Sequence, residues 1–93
     1  MKNIVILISG GGSNMAAIVK AAQQEHWERR LGARVAAVVS NKMDAGGLRF
    51  AREQGIATEV LDHKQFPSRE AFDTELAAMI DRHNPSLVVL AGF

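Results

Sequence analysis

Gly10-Gly11-Gly12-Ser13-Asn14 is the stretch whose residue types and spacing could do chemistry: three glycines, a hydroxyl and a carboxamide. A β-branched apolar run, NIVILIS (Asn3–Ser9), leads into it. Met15, Ile18, Val19 and Ala22 leave it at helical spacing. A glycine turn between strand and helix lets a ligand approach the backbone closely. The first N–H groups of the helix and its macrodipole favour an anion there. Ser13 and Asn14 add groups suited to phosphate oxygens. The purely structural alternative is a tight turn with Ser13 as N-cap. Each glycine costs conformational entropy on folding, and three exceed what a turn needs. The loop is therefore expected to bind phosphate, and it looks built for a monoester.

Dinucleotide binding fits less well. Met15 stands where the G-x-G-x-x-G fingerprint needs its third glycine. Ser40-Asn41-Lys42 replaces the acid expected after the second strand, so a ribose 2′-phosphate, as in NADP, stays open. No Gly-Lys-Ser/Thr follows the glycines, which excludes a P-loop. An NADP-type dinucleotide-binding module and a non-catalytic phosphate-binding domain are the alternatives.

Other candidate groups are weaker. Arg69 falls in the first turn of a predicted helix, where a cation opposes the macrodipole by about 0.3–1 kcal/mol. That local penalty hints at a ligand, although Glu70 and Asp73 can offset it. Asn41 and Lys42 could line a crevice rim, and Asp44 is expected to cap the next helix. His26, His63 and His83 are expected to face solvent or to pack. No His/Asp/Glu spacing suggests a metal site. Trp27 and the four Phe are too sparse for a nucleic-acid stacking platform.

The elements that must position these groups follow from periodicity. Asn3–Ser9 is a continuous apolar run of the kind buried on both faces of a parallel sheet, and Ala33–Ser40 reads as a second buried strand. Helix is expected from about Asn14 to Glu28, then around Ala45, Leu48 and Ala51 with Gly55 as its stop. Ile56–Leu61 reads as a short third strand. Pro67-Ser68 opens a helix carrying Phe72, Leu76, Met79, Ile80 and His83 on one stripe, and Asn84-Pro85 ends it. Ser86–Phe93 reads as a fourth strand. The order β-α-β-α-β-α-β implies an α/β, doubly wound, Rossmann-like parallel sheet.

Bulk composition narrows the function classes. At 93 residues the chain makes one domain at most. A net charge of +1 gives no electrostatic reason to expect nucleic acid or an anionic membrane as partner. The apolar N-terminal run is too short for a signal peptide or a membrane span. With no cysteine, disulfides and thiolate metal sites are excluded, which is compatible with the cytoplasm. Ser86–Phe93 is apolar and terminal, so residues 1–93 are expected to be the N-terminal part of a longer domain, incomplete at the C-terminus.

ILISGGGSN, VSNKMDAGGLRFAREQGI, FPSREAFDTEL and PSLVVLAGF together resemble the phosphoribosylglycinamide formyltransferase family, in order and across the whole chain. The resemblance implies folate-dependent transfer of a formyl group from 10-formyltetrahydrofolate to the amine of glycinamide ribonucleotide in purine biosynthesis. It places the ribonucleotide 5′-phosphate on Gly12, Ser13 and Asn14, a folate contact on Arg69, and the junction of the two ligands at Gly92. It implies no metal. The family's catalytic Asn, His and Asp lie beyond the fourth strand, so no residue of this chain is expected to be catalytic and residues 1–93 alone are expected to be inactive. The open edge of the fourth strand is expected to pair with a C-terminal segment or in a homodimer.

Overall fold

The computed structural model describes all 93 residues. β1 (Lys2–Ile8) enters the glycine loop, α1 (Ser13–Gln24) leaves it, and α2 (Trp27–Leu31) leads to β2 (Ala33–Ser40). Then come α3 (Gly46–Glu53), β3 (Ala57–Val60), a 3-10 turn at His63–Gln65, α4 (Arg69–Asp81) and β4 (Pro85–Leu90). All strand pairs are parallel, in the order β3-β2-β1-β4. The expected α/β sheet is borne out.

Strand geometry explains the two layers. Successive side chains point to opposite faces, so β1 supplies both cores. Ile4, Ile6 and Ile8 pack with Met15 and Val19 of α1 and with Leu48 and Ala51 of α3. Val5 and Leu7 join Ala37 and Val39 of β2 under Phe72, Leu76 and Met79 of α4. Helices thus cover both faces, as a doubly wound sheet requires. The carboxyl ends of β1, β2 and β4 open onto the glycine loop, the Asn41–Ala45 loop and the Ala91–Phe93 tail.

Two expectations need correction. The helix expected over 14–28 is two helices, because His26 takes φ 54 in the left-handed region. That conformation costs a residue with a Cβ roughly 1–2 kcal/mol. Trp27, just after this turn, packs half-buried against the core that holds Met15, Val19, Leu48 and Ala51. Asp44 does not cap α3: its N-cap is Ala45, with no side-chain cap hydrogen bond. Other punctuation is as expected. Ser68 Oγ accepts the Ala71 N–H at 3.1 Å at the start of α4, and Gly55 follows α3 at φ 76.

β4 pairs with β1 alone and forms one edge of the sheet. Leu87 and Leu90 on it are 54% and 70% exposed.

Candidate functional site

The glycines of the loop are not equivalent. Gly12 is the N-cap of α1, at φ 73 and ψ 32. A Cβ there would sit 3.0 Å from Gly47 Cα and 3.0 Å from Met15 Cε. A Cβ on Gly47 would meet Ile8 Cδ1 at 2.7 Å and Gly12 Cα at 3.2 Å. The loop after β1 and the first turn of α3 therefore touch backbone to backbone, and the Gly47 N–H donates to Gly10 O at 3.3 Å. A Cβ on Gly10 or Gly11 would have nothing within 4 Å. Their lack of side chains leaves the loop backbone open to solvent rather than relieving a clash.

This packing holds the start of α1 in place with its donors free. The first helical amide with a backbone acceptor is that of Ala16, which donates to Gly12 O at 2.8 Å. The N–H groups of Ser13, Asn14 and Met15 have no backbone acceptor, as expected for the first turn of a helix. No side chain caps them and the turn holds no acid. Ser13 is therefore not the N-cap that the structural alternative required. The Ser13 and Asn14 side chains are exposed and form no hydrogen bond within the chain. Unpaired amides, the positive end of the dipole and two polar side chains converge on one exposed point, which suits a phosphate-sized anion.

Arg69 and Gly92 lie at the same end of the sheet. Arg69 is the exposed first residue of α4. It lines a concavity of about 500 Å³ with Asn41, His63, Phe66, Phe72 and Phe93. Phe66 and Phe72 meet edge to face at 5.7 Å. Asn41 Oδ1 is buried in the wall of this concavity with no hydrogen-bond partner. A buried acceptor left unpaired costs roughly 1–3 kcal/mol, so a ligand N–H there would recover stabilisation. Gly92 has φ 86, and its carbonyl accepts Ser9 Oγ at 2.5 Å. Glycine loop and Arg69 thus share the carboxyl end of the sheet without lining one cavity.

The histidines stay apart from the loop. His26 is exposed before α2, and His63 stacks edge-on against Phe72 at 6.3 Å. His83 is half-buried and pairs with Glu59, which also meets Arg82 at 3.5 Å. No group of His, Cys, Asp and Glu side chains is placed to hold a metal ion. No helix is long and apolar enough to cross a membrane.

Sequence reasoning missed three contributors. Gly47 makes the close approach to Gly12, and the Gly46-Gly47 pair after a buried strand was the available signal. Ser40 is fully buried and its Oγ bonds both the N–H and the C=O of Lys42, at 2.9 and 2.8 Å, which shapes the Asn41 loop. Ser9 fixes the Gly92 carbonyl, and nothing in the sequence pattern marks it.

The formyl transferase family model matches residues 2–93. The chain is 52% identical over 91 residues to phosphoribosylglycinamide formyltransferase of Escherichia coli (strain K12), covering 98% of this chain and 41% of that protein. It is 34% identical to the enzyme of the same name from Haemophilus influenzae, covering 42% of it. The phosphoribosylglycinamide formyltransferase structure from Coxiella burnetii superposes with a TM-score of 0.87 at 43% identity, over 99% of this chain and 41% of that one. Glycinamide ribonucleotide transformylase 1 from Symbiobacterium toebii gives a TM-score of 0.89 at 40% identity, over 100% of this chain and 42% of that one. The chain thus spans about two fifths of the length of these relatives. With the family model matched over residues 2–93, the chain belongs to the formyl transferase family.

Proposed function

We propose that this chain is the ribonucleotide-binding part of an enzyme that transfers a formyl group to the amine of glycinamide ribonucleotide in purine biosynthesis. The observation that carries the reading is the unpaired first turn of α1, held open by the Gly12–Gly47 contact. It supplies donors for one phosphate monoester and makes no provision for a second phosphate. The relatives' names supply the rest of the ribonucleotide.

Roles follow from position. The amides of Gly12, Ser13 and Asn14, with the Ser13 hydroxyl, take the 5′-phosphate. Arg69 offers its guanidinium to a carboxylate of the formyl donor, 10-formyltetrahydrofolate. The concavity beside it fits a folate: aromatic walls suit a planar ring, and the orphaned Asn41 Oδ1 suits a ring N–H. That donor, when bound, supplies the formyl group. Gly92 carries backbone to the point where the two ligands meet, steadied by Ser9. Residues 1–93 bind and orient the two ligands in this reading. The family's acid–base groups follow the fourth strand. The reaction belongs to the cytoplasm, in keeping with a chain free of cysteine.

Nothing favours an NADP module. Met15 is fully buried against Gly12, so the third glycine of the fingerprint has no counterpart. The test is the Ser13→Ala variant of the full enzyme. It should weaken ribonucleotide binding by about 1.5–3 kcal/mol, the range for a hydrogen bond to a charged group. An unchanged Kd and KM for the ribonucleotide would remove Ser13 from the site.

A further inference from the structure

A concavity of about 930 Å³ lies at the opposite end of the sheet from the glycine loop. It opens among the first residues of the strands, from Asn3 and Ala33 to Ala57, and is bounded by α1, α2 and the turn between α4 and β4. Its size falls within the ordinary range for small-molecule sites, roughly 300–1,000 Å³. Formyl transfer at the carboxyl end of the sheet assigns it no role.

Its lining is cationic. Arg29, Arg34 and Arg82 line it, and Glu28 is the one carboxylate that does. This clustering contrasts with a chain whose net charge is only +1. Arg82 is partly neutralised by Glu59 at 3.5 Å. Arg29 and Arg34 pair with no carboxylate. Arg34 is also held in place. Its Nε donates to Asn3 Oδ1 at 3.1 Å, while Asn3 Nδ2 donates to His83 O at 3.0 Å. That relay uses one edge of the guanidinium and leaves both terminal NH₂ groups without a partner in the chain. A fork with two free NH₂ groups matches phosphate geometry.

The backbone adds a third observation. The left-handed His26, with a Cβ and φ 54, ends α1 and sets α2 across the groove. Strain of this kind persists only where the surroundings hold it, and it gathers at functional positions. Its result is to bring Trp27 and Arg29 into the same wall. The Trp27 indole N–H is fixed on Glu25 Oε1 at 3.2 Å, and its ring lines the groove. An aromatic face beside arginines suits a base joined to phosphate.

We propose that this groove is a second anion site, which takes a phosphorylated small molecule with its phosphates on Arg34 and Arg29 and its base against Trp27. The site is separate from the glycine loop, so its occupant does not compete for the ribonucleotide phosphate.

The experiment is calorimetric titration of the full-length protein with ADP, pyrophosphate and adenosine. ADP is expected to bind in the submillimolar range, pyrophosphate more weakly, and adenosine least. Arg34→Ala and Arg29→Ala should each weaken ADP by about tenfold or more, the low end for a hydrogen bond to a charged group. Ser13→Ala should leave ADP binding unchanged. Trp27 is the only tryptophan of the chain, so ADP should alter an emission component that the Trp27→Phe variant lacks. Both arginines are exposed. If either alanine variant melts early, the corresponding glutamine variant replaces it. The proposal is overturned if ADP does not bind, if adenosine binds as tightly as ADP, if the arginine variants bind it normally, or if Ser13→Ala abolishes it.

Discussion

Replacing Gly12 by alanine tests whether the loop is built on a backbone contact. Two effects add. An L-residue at φ 73 pays roughly 1–2 kcal/mol for the left-handed region. The new Cβ also lands 3.0 Å from Gly47 Cα and 3.0 Å from Met15 Cε. The Met15 methyl can rotate away, but Gly47 is backbone and is itself pressed toward Ile8. Overpacking in such places costs typically ~1–3 kcal/mol. The sum is about 2–5 kcal/mol, a large share of the stability of a small domain. Gly11→Ala is the control, because nothing stands within 4 Å of its Cβ position and its φ is not positive. It should change stability by no more than about 0.5 kcal/mol, as open surface substitutions do. Urea unfolding of the two variants reads the difference directly. Equal stability of Gly12→Ala and Gly11→Ala would refute the contact and the account of how α1's first turn is held open.

Ser68→Ala removes the cap on Ala71 and should cost about 1 kcal/mol in urea unfolding. Arg69→Ala should raise the KM for the formyl donor while leaving ribonucleotide Kd unchanged, measured by steady-state kinetics and calorimetry. A polypeptide of residues 1–93 alone should show no formyl transfer in an assay for formylglycinamide ribonucleotide. The same polypeptide should associate at micromolar concentration, because β4 presents unpaired backbone and the exposed Leu87 and Leu90. Light scattering that finds a cooperatively melting monomer would contradict this.

The sheet was legible because β1 and β2 are rich in apolar residues, Ile and Val prominent among them, and the helices carry apolar stripes. The break at His26 was not. The residues Ala21 to Leu31 hold neither proline nor glycine, and the helix ends there for the packing of Trp27, a tertiary cause. Asp44 looked like a cap because a sequence shows residue type but not the turn, and the turn puts Ala45 at the cap. The three glycines looked alike in sequence. Only the close approach of α3 distinguishes Gly12, which geometry demands, from Gly10 and Gly11, which leave backbone exposed. Arg69 was legible as a helix-start cation. Its companion Asn41 was marked as a rim residue, while the orphaned state of its Oδ1 depends on burial that no pattern encodes.

The central claim is that the first turn of α1 receives the ribonucleotide phosphate. Backbone amide chemical shifts in the ¹⁵N-labelled protein, followed as glycinamide ribonucleotide is titrated in, test it most directly. The account predicts the largest shifts at Gly12, Ser13 and Asn14, with the amides of Trp27, Arg29 and Arg34 unmoved. Shifts centred on the far groove, or spread over the sheet with the α1 turn silent, would contradict it.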